Sequence, residues 1–356
     1  MLTNFRDSIL GFRSVIFLLA LVFSSYETPV ARAQDAGYTG RLIEGARQEG
    51  ELDVWSTGDV RAQNEVIERF RKKYPFISKI RAIRPQSSAM RNRLLSEARA
   101  GKGSDVDVVG GNADIMDYLG DKGFLTRYKS PEMGALVQGL KDPQDRWSAF
   151  YVNPFVTAYN RNLVAPKDIP KKWDDFLNPQ WKGKIAFYRE EYAWFSNFLA
   201  WAGREKGLEY MRRLAGQNVQ LREGHSLMSQ LLAAGEYPII FVTYGPRIAT
   251  MKAEGAPVDW VALDPVFAQG IAMGIYTKAK HPNAARLYVD YMLSREVQQE
   301  IWVNGFWKHS ARTDVVPNDA RWKGRRILPL DLKFTDQLNV VAQEFRGIFE
   351  PESRKK

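Results

Sequence analysis

Residues 51–111, ELDVWSTGDVRAQNEVIERFRKKYPFISKIRAIRPQSSAMRNRLLSEARAGKGSDVDVVGG, decide the fold class. Glu51 to Ser56 reads as a first strand. Asn64 to Tyr74 then sets Val66, Ile67, Phe70 and Tyr74 on one helical face, and Pro75 stops that helix. Ile77 to Ile83 is a second strand. Ser87 and Ser88 precede a helix that carries Leu94, Leu95 and Ala98 and ends at Gly101. Asp105 to Val109 is a third strand, broken by Gly110-Gly111. Strands and helices alternating this way make a βαβαβ unit. Its loops meet at the carboxyl ends of the strands, where open α/β sheets bind their ligands.

The second half repeats the pattern. Trp181-Lys182-Gly183-Lys184 leads into a strand at Ile185 to Tyr188. Leu227 to Ala234 is a helix closed by Gly235, and Ile239 to Val242 is a buried strand running into Thr243-Tyr244-Gly245-Pro246. Between the halves, Phe150 to Asn160 is extended and interrupted by Pro154. A second extended stretch covers Val258 to Tyr276, and helices follow at Ala284 to Leu293 and Val297 to Trp302. The expected fold is α/β with two lobes, mainly parallel sheets flanked by helices, and two hinge crossovers. The expected division is lobe 1 at 34–150 with about 265–320, lobe 2 at 151–264, and a C-terminal helical segment at about 321–356. A cleft is expected between the lobes.

The N-terminus reads as a cleavable secretory signal over residues 1–33. Arg6 and Arg13 lead, Val15 to Phe23 is apolar, and Ala31-Arg32-Ala33 supplies a small–x–small site. The apolar run is less than half of the roughly 20 residues that a membrane-crossing helix needs. No cysteine follows it to carry a lipid, so the mature chain is expected to start near Gln34 and to move freely in the periplasm. The chain is 45% hydrophobic and 12% aromatic, which excludes a disordered protein. It has no cysteine, which excludes disulfides, thiol chemistry and thiolate metal sites. The formal net charge is +10; the signal contributes +1 of it (Arg6, Arg13 and Arg32 against Asp7 and Glu27) and leaves about +9. Basic residues cluster only at Arg321 to Arg326 and at Arg354-Lys355-Lys356, with no nucleic-acid motif between them, so no nucleic-acid partner is expected.

Five segments in order, LDVWSTGDVRAQNEVIERFRKKYP, RLLSEARAGKGSDVDVV, YVNPFVTAYNRNLVAPKDIPKKWDDFLNPQWKGKIAF, SQLLAAGEYPIIFVTYG and KHPNAARLYVDYMLSREVQQEIW, resemble the type 2 periplasmic solute-binding proteins of ATP-driven (ABC) importers. The similarity is to the family 1 group that includes ferric-ion-binding proteins, and it extends from Leu52 to Trp302. The resemblance implies two lobes that close on one small-molecule solute, a monomer that docks on an inner-membrane ABC permease, no cofactor and no enzymatic activity.

Ligand-binding candidates are the polar residues at the loop positions. Ser56 and Thr57 follow the first strand, and Ser87 and Ser88 begin a helix whose N–H groups can hold an anionic oxygen. Gly110, Gly111 and Asn112 follow the third strand. From the other half come Asn153, Arg189, Tyr192, Ser226 and Tyr244. The ferric-binding branch carries two adjacent tyrosines where this chain has Thr243-Tyr244, a histidine in the first loop that STGDV lacks, and a glutamate near Met90. Fe(III) is a hard cation that needs several anionic oxygens. The reading therefore favours a small anionic organic or phosphorus-containing solute. Fe(III) cargo held by Tyr244, Tyr192 and Tyr151 is the alternative. A ligand sensor for a membrane receptor would use the same closed state. A periplasmic hydrolase is the third class, but Gly224-His225-Ser226 lacks the final glycine of a nucleophile elbow, since Met228 stands there.

Overall fold

A computed structural model describes residues 29–58, 60–85 and 87–350. The basic lead, the apolar run and the terminal Arg354-Lys355-Lys356 lie outside them. The chain divides into Met1–Arg41 and Leu42–Lys356. Of the first unit, the described part is helical, so Ala31-Arg32-Ala33 sits in a helix, α1 (Pro29–Glu49). Every later element belongs to the second unit. No helix of the described residues is long and apolar enough to cross a membrane.

The βαβαβ unit is present as β1 (Glu51–Ser56), α2 (Val60–Lys73), β2 (Lys79–Ile83), α3 (Ser87–Arg99) and β3 (Val108–Asn112). β1 lies between β2 and β3 and is parallel to both. Its side chains are buried from Leu52 onward, and α2 packs Val66, Ile67 and Phe70 inward as its periodicity predicts. One expectation fails: Gly110 and Gly111 do not break β3 but lie inside it. They pair with Met273 and Ala272 of the neighbouring strand, and a Cβ on Gly110 would make only ordinary contacts of 3.4 Å, so the ladder runs straight through both positions.

After α4 (Ala113–Asp121) comes β4 (Ser148–Asn160), which links two groups of strands. Its first half is antiparallel to β9 (Val266–Ile275), and from Phe155 it pairs with β7 (Ile239–Tyr244). Pro154 stands where the strand leaves one partner for the other, a place where no ladder donor is needed. β5 (Ile185–Tyr188) runs parallel to β7 and to β6 (Gln220–Arg222). Helices α5 (Tyr192–Ala202), α6 (Arg204–Gly216), α7 (His225–Ala234) and α8 (Gly245–Ala253) belong to this second group. The chain returns through β8 (Val258–Val261), antiparallel to β4, into β9. The crossovers are thus β4 and the β8–β9 link. The flanking strands are parallel as expected, whereas β3, β9, β4 and β7 meet antiparallel through the middle, because the long crossover strands return in the opposite sense.

The last part departs from the sequence reading. After α9 (Pro282–Leu293), the short α10 (Arg295–Val297), a π-helix at Gln298–Gly305 and β10 (His309–Ser310), the expected helical segment instead supplies a strand, β11 (Ile327–Pro329), parallel to the start of β9. Only then does α11 (Leu338–Phe349) follow. It closes the aromatic core of the second strand group. Phe345 is fully buried there, 5.5 Å from Phe187 and 5.3 Å from Phe195 between ring centroids. A three-residue, half-buried strand has no periodicity to read, so β11 leaves no signal in the sequence.

Candidate functional site

The carboxyl ends of β1, β3 and β7 and the crossover β4 face one cavity of about 550 Å³. Thr57 and Gly58 follow β1, Arg61 is in the first turn of α2, and Arg84 follows β2. Asn112 ends β3; Tyr151 and Asn153 come from β4. His225 and Ser226 open α7, and Tyr244 ends β7. Pro246, Arg247 and Thr250 come from α8, and the segment Gly305–Lys308 completes the wall.

The structure brings together Thr57, Asn112, Asn153, Ser226 and Tyr244, with Tyr151 beside them. Ser56 is buried behind the wall, where its Oγ accepts the Gly58 N–H at 3.2 Å and shapes the turn that presents Thr57. Gly111 is also behind it: a Cβ there would lie 3.3 Å from Thr57 Oγ1 and 3.6 Å from Met90 Cε. Met90 itself is fully buried. Ser87 and Ser88 open α3 as expected. Arg189 and Tyr192 are not part of the wall. Arg189 is paired with Glu223 at 3.1 Å and with Glu350 at 3.2 Å, and Tyr192 lies edge-on to Phe345 with centroids 5.5 Å apart. The reason is α11 and the residue that succeeds it, which engage both side chains.

The charge of the cavity is not visible in the sequence. Among the described residues, Arg61, Arg84, Arg247 and Lys308 line the cavity against one carboxylate, Glu254. Arg84 donates from Nε to the Gly58 carbonyl oxygen at 2.7 Å and braces the loop after β1. Arg247 Nε is buried with no hydrogen-bond partner. These residues are scattered over 248 positions, 61 to 308, so only the tertiary fold gathers them. His225 is absent from the expected set, although its neighbour Ser226 is in it. Its Nε2 is 3.1 Å from Oε2 of the buried Glu191, and its Nδ1 is 3.3 Å from Thr243 Oγ1. Glu191 Oε2 has no hydrogen-bond partner among the described residues, so the imidazole stands beside the carboxylate at ion-pair distance only and lines the cavity; its ring packs 4.2 Å from that of Tyr244. Burial pushes the Tyr244 phenol far above its ordinary range, and the Glu191 and Asp114 carboxylates push it the same way. At neutral pH Tyr244 is therefore a neutral hydroxyl that can donate a hydrogen bond, not a phenolate.

A model of the bacterial extracellular solute-binding proteins matches residues 106–329, well over half of the chain. The chain belongs to this family. As an extracellular solute-binding protein it has relatives of distant sequence and common fold. The periplasmic protein AfuA of Actinobacillus pleuropneumoniae, solved with exogenous fructose-6-phosphate bound, is 21% identical with a TM-score of 0.69, covering 85% of this chain and 99% of that one. Iron-bound HitA of Pseudomonas aeruginosa is 15% identical with a TM-score of 0.71, covering 83% and 99%. A ferric binding protein of Campylobacter jejuni is 17% identical with a TM-score of 0.69, covering 83% and 99%. The fold is thus the two-lobed one of the periplasmic binding proteins. An uncharacterised Haemophilus influenzae protein is 25% identical over 211 residues, 55% of this chain, which spans 60% of that relative's length.

Proposed function

We propose that this solute-binding protein is the periplasmic receptor of an ABC importer and that its cargo is a small organic anion bearing a phosphate or phosphonate group. The observation that carries the reading is the convergence of Arg61, Arg84, Arg247 and Lys308 on one cavity with a single opposing carboxylate among the described residues. Two unit charges 4 Å apart interact by roughly 4 kcal/mol at an effective dielectric of 20. A hydrogen bond to a charged group contributes about 1.5–3 kcal/mol net. Micromolar affinity corresponds to about 8 kcal/mol, so a few such bonds and the burial of an organic moiety suffice. Thr57, Asn112, Asn153, Ser226 and Tyr244 add neutral donors, and the N-termini of α7 and α8 add about 0.3–1 kcal/mol each.

The lobes we propose are residues 42–150 with 265–320, and 151–264, hinged at β4 and the β8–β9 link. A ligand that contacts both stabilises the closed state by its extra contacts there, and the permease then reads that state. The cavity draws on both lobes: Thr57, Arg61 and Lys308 from one, Ser226 and Arg247 from the other. For iron cargo, Tyr151 and Tyr244 are available, but two phenols facing four cations are a poor donor set for a hard trication that needs several anionic oxygens. The test is isothermal titration with glucose 6-phosphate, phenyl phosphate, inorganic phosphate and citrate, alongside visible absorbance on adding Fe(III) citrate. Binding of phosphate esters without a tyrosinate-to-iron band is expected. That band, with no ester binding, would refute the reading.

A further inference from the structure

One part of the cavity wall is built from four consecutive residues, Gly305 to Lys308, and its backbone is unusual twice over. The segment comes directly after a π-helix, Gln298–Gly305, a form that recurs at functional sites. Within it Trp307 has φ of 55°, in the left-handed region that a bulky side chain rarely occupies. The other non-glycine residues in that region, among those described, are Asp145 and Asn218, types that tolerate it. Hydrogen bonds on either side hold the turn: the Phe306 N–H donates to the Ile301 carbonyl at 3.0 Å and the Lys308 N–H to that of Trp302 at 2.8 Å. Trp307 remains 37% exposed even though the chain buries most of its large apolar side chains. The strained turn thus presents Phe306 and Trp307 to the cavity that also holds the four cations. Tyr151 lies on the same side, its ring 5.4 Å below the Lys308 ammonium.

We infer that Trp307 is the specificity-determining residue for the organic half of the cargo, and that this half is a planar ring that stacks on the indole while the cations hold its phosphate. The inference rests on the anion reading above and narrows it to phosphate esters of aromatic or heteroaromatic molecules. The experiment is isothermal titration of the full chain with phenyl phosphate, glycerol 3-phosphate and inorganic phosphate. The wild type should bind phenyl phosphate about tenfold more tightly than glycerol 3-phosphate, the order expected of one ring stacked on another. Trp307→Gly suits the left-handed backbone; it should keep the melting temperature and bind the two esters equally, with inorganic phosphate unchanged. Trp307→Asn, which also tolerates that backbone, should give the same collapse, and Trp307→Phe should keep most of the preference. An unchanged preference in Trp307→Gly and Trp307→Asn, or equal binding of both esters by the wild type, would overturn this inference and leave the anion reading standing. Failure of the wild type to bind any of the three would overturn the anion reading, and this inference with it.

Discussion

Arg247→Met separates binding from folding. Arg247 sits in the first turn of α8, half-buried, with Nε buried and unpartnered. An unsatisfied buried donor costs about 1–3 kcal/mol, more when it belongs to a charged group. Methionine keeps the apolar stem and removes both the orphan donor and one charge from a cluster of four. The unliganded variant should therefore be as stable as the wild type or more so by about 1 kcal/mol, a rise of roughly 2 °C in melting temperature for a chain of this size. Ligand binding should suffer the loss of one charge-assisted hydrogen bond, about 1.5–3 kcal/mol, or roughly a 10- to 150-fold weaker Kd. Differential scanning fluorimetry measures the first quantity and titration calorimetry with phenyl phosphate the second. A Kd within twofold of the wild type would show that Arg247 does not touch the anion. A melting temperature lowered by several degrees would show that the guanidinium is structural.

Two further predictions concern the scaffold. Burial pushes the Asp290 carboxyl up to about 6 despite hydrogen bonds from Ser130 and Tyr128. The native state then holds a proton that the unfolded chain gives up near pH 3.9. The contribution to stability is full below that value and is lost as pH rises through 6, by about 3 kcal/mol in all. Asp290→Asn, which can still accept from the Tyr128 hydroxyl, should match the wild type in urea unfolding at pH 4 and exceed it at pH 8. Equal stability at pH 8 would count against the burial argument. Gly274→Ala puts a Cβ 2.7 Å from the Arg146 carbonyl oxygen and 2.8 Å from Leu125 Cδ1. Because β3 pairs with β9 at this position, the backbone has little room to shift, and a loss of about 1–3 kcal/mol is expected. Wild-type stability in that variant would mean that the strand is looser than these contacts require.

Much of the scaffold is legible before the structure. Glu51–Ser56 and Ile185–Tyr188 are strands at the residues expected, because short apolar runs bounded by glycine, proline or a helical pattern have few other solutions. The loops of β1, β3 and β7 are likewise found where the parallel topology sends them, and with them Thr57, Asn112 and Tyr244. Three things are not legible. Gly110 and Gly111 look like a break but lie inside β3, because Met273 and Ala272 across the sheet continue the ladder through them. The cation cluster draws on residues as distant as Arg61 and Lys308 and leaves no local pattern. Arg189 and Tyr192 have the right strand-end position and the right chemistry, but they are engaged by the C-terminal helix and Glu350, whose docking rests on long-range aromatic packing around Phe345.

A single small phosphorylated organic solute is proposed to occupy the cavity under the four cations. Native mass spectrometry of protein purified from the periplasm without refolding tests it most directly. A one-to-one adduct with the mass of a small phosphorus-containing organic molecule, lost in Arg247→Met, is expected. An adduct of iron, with or without citrate, retained in Arg247→Met, would contradict it.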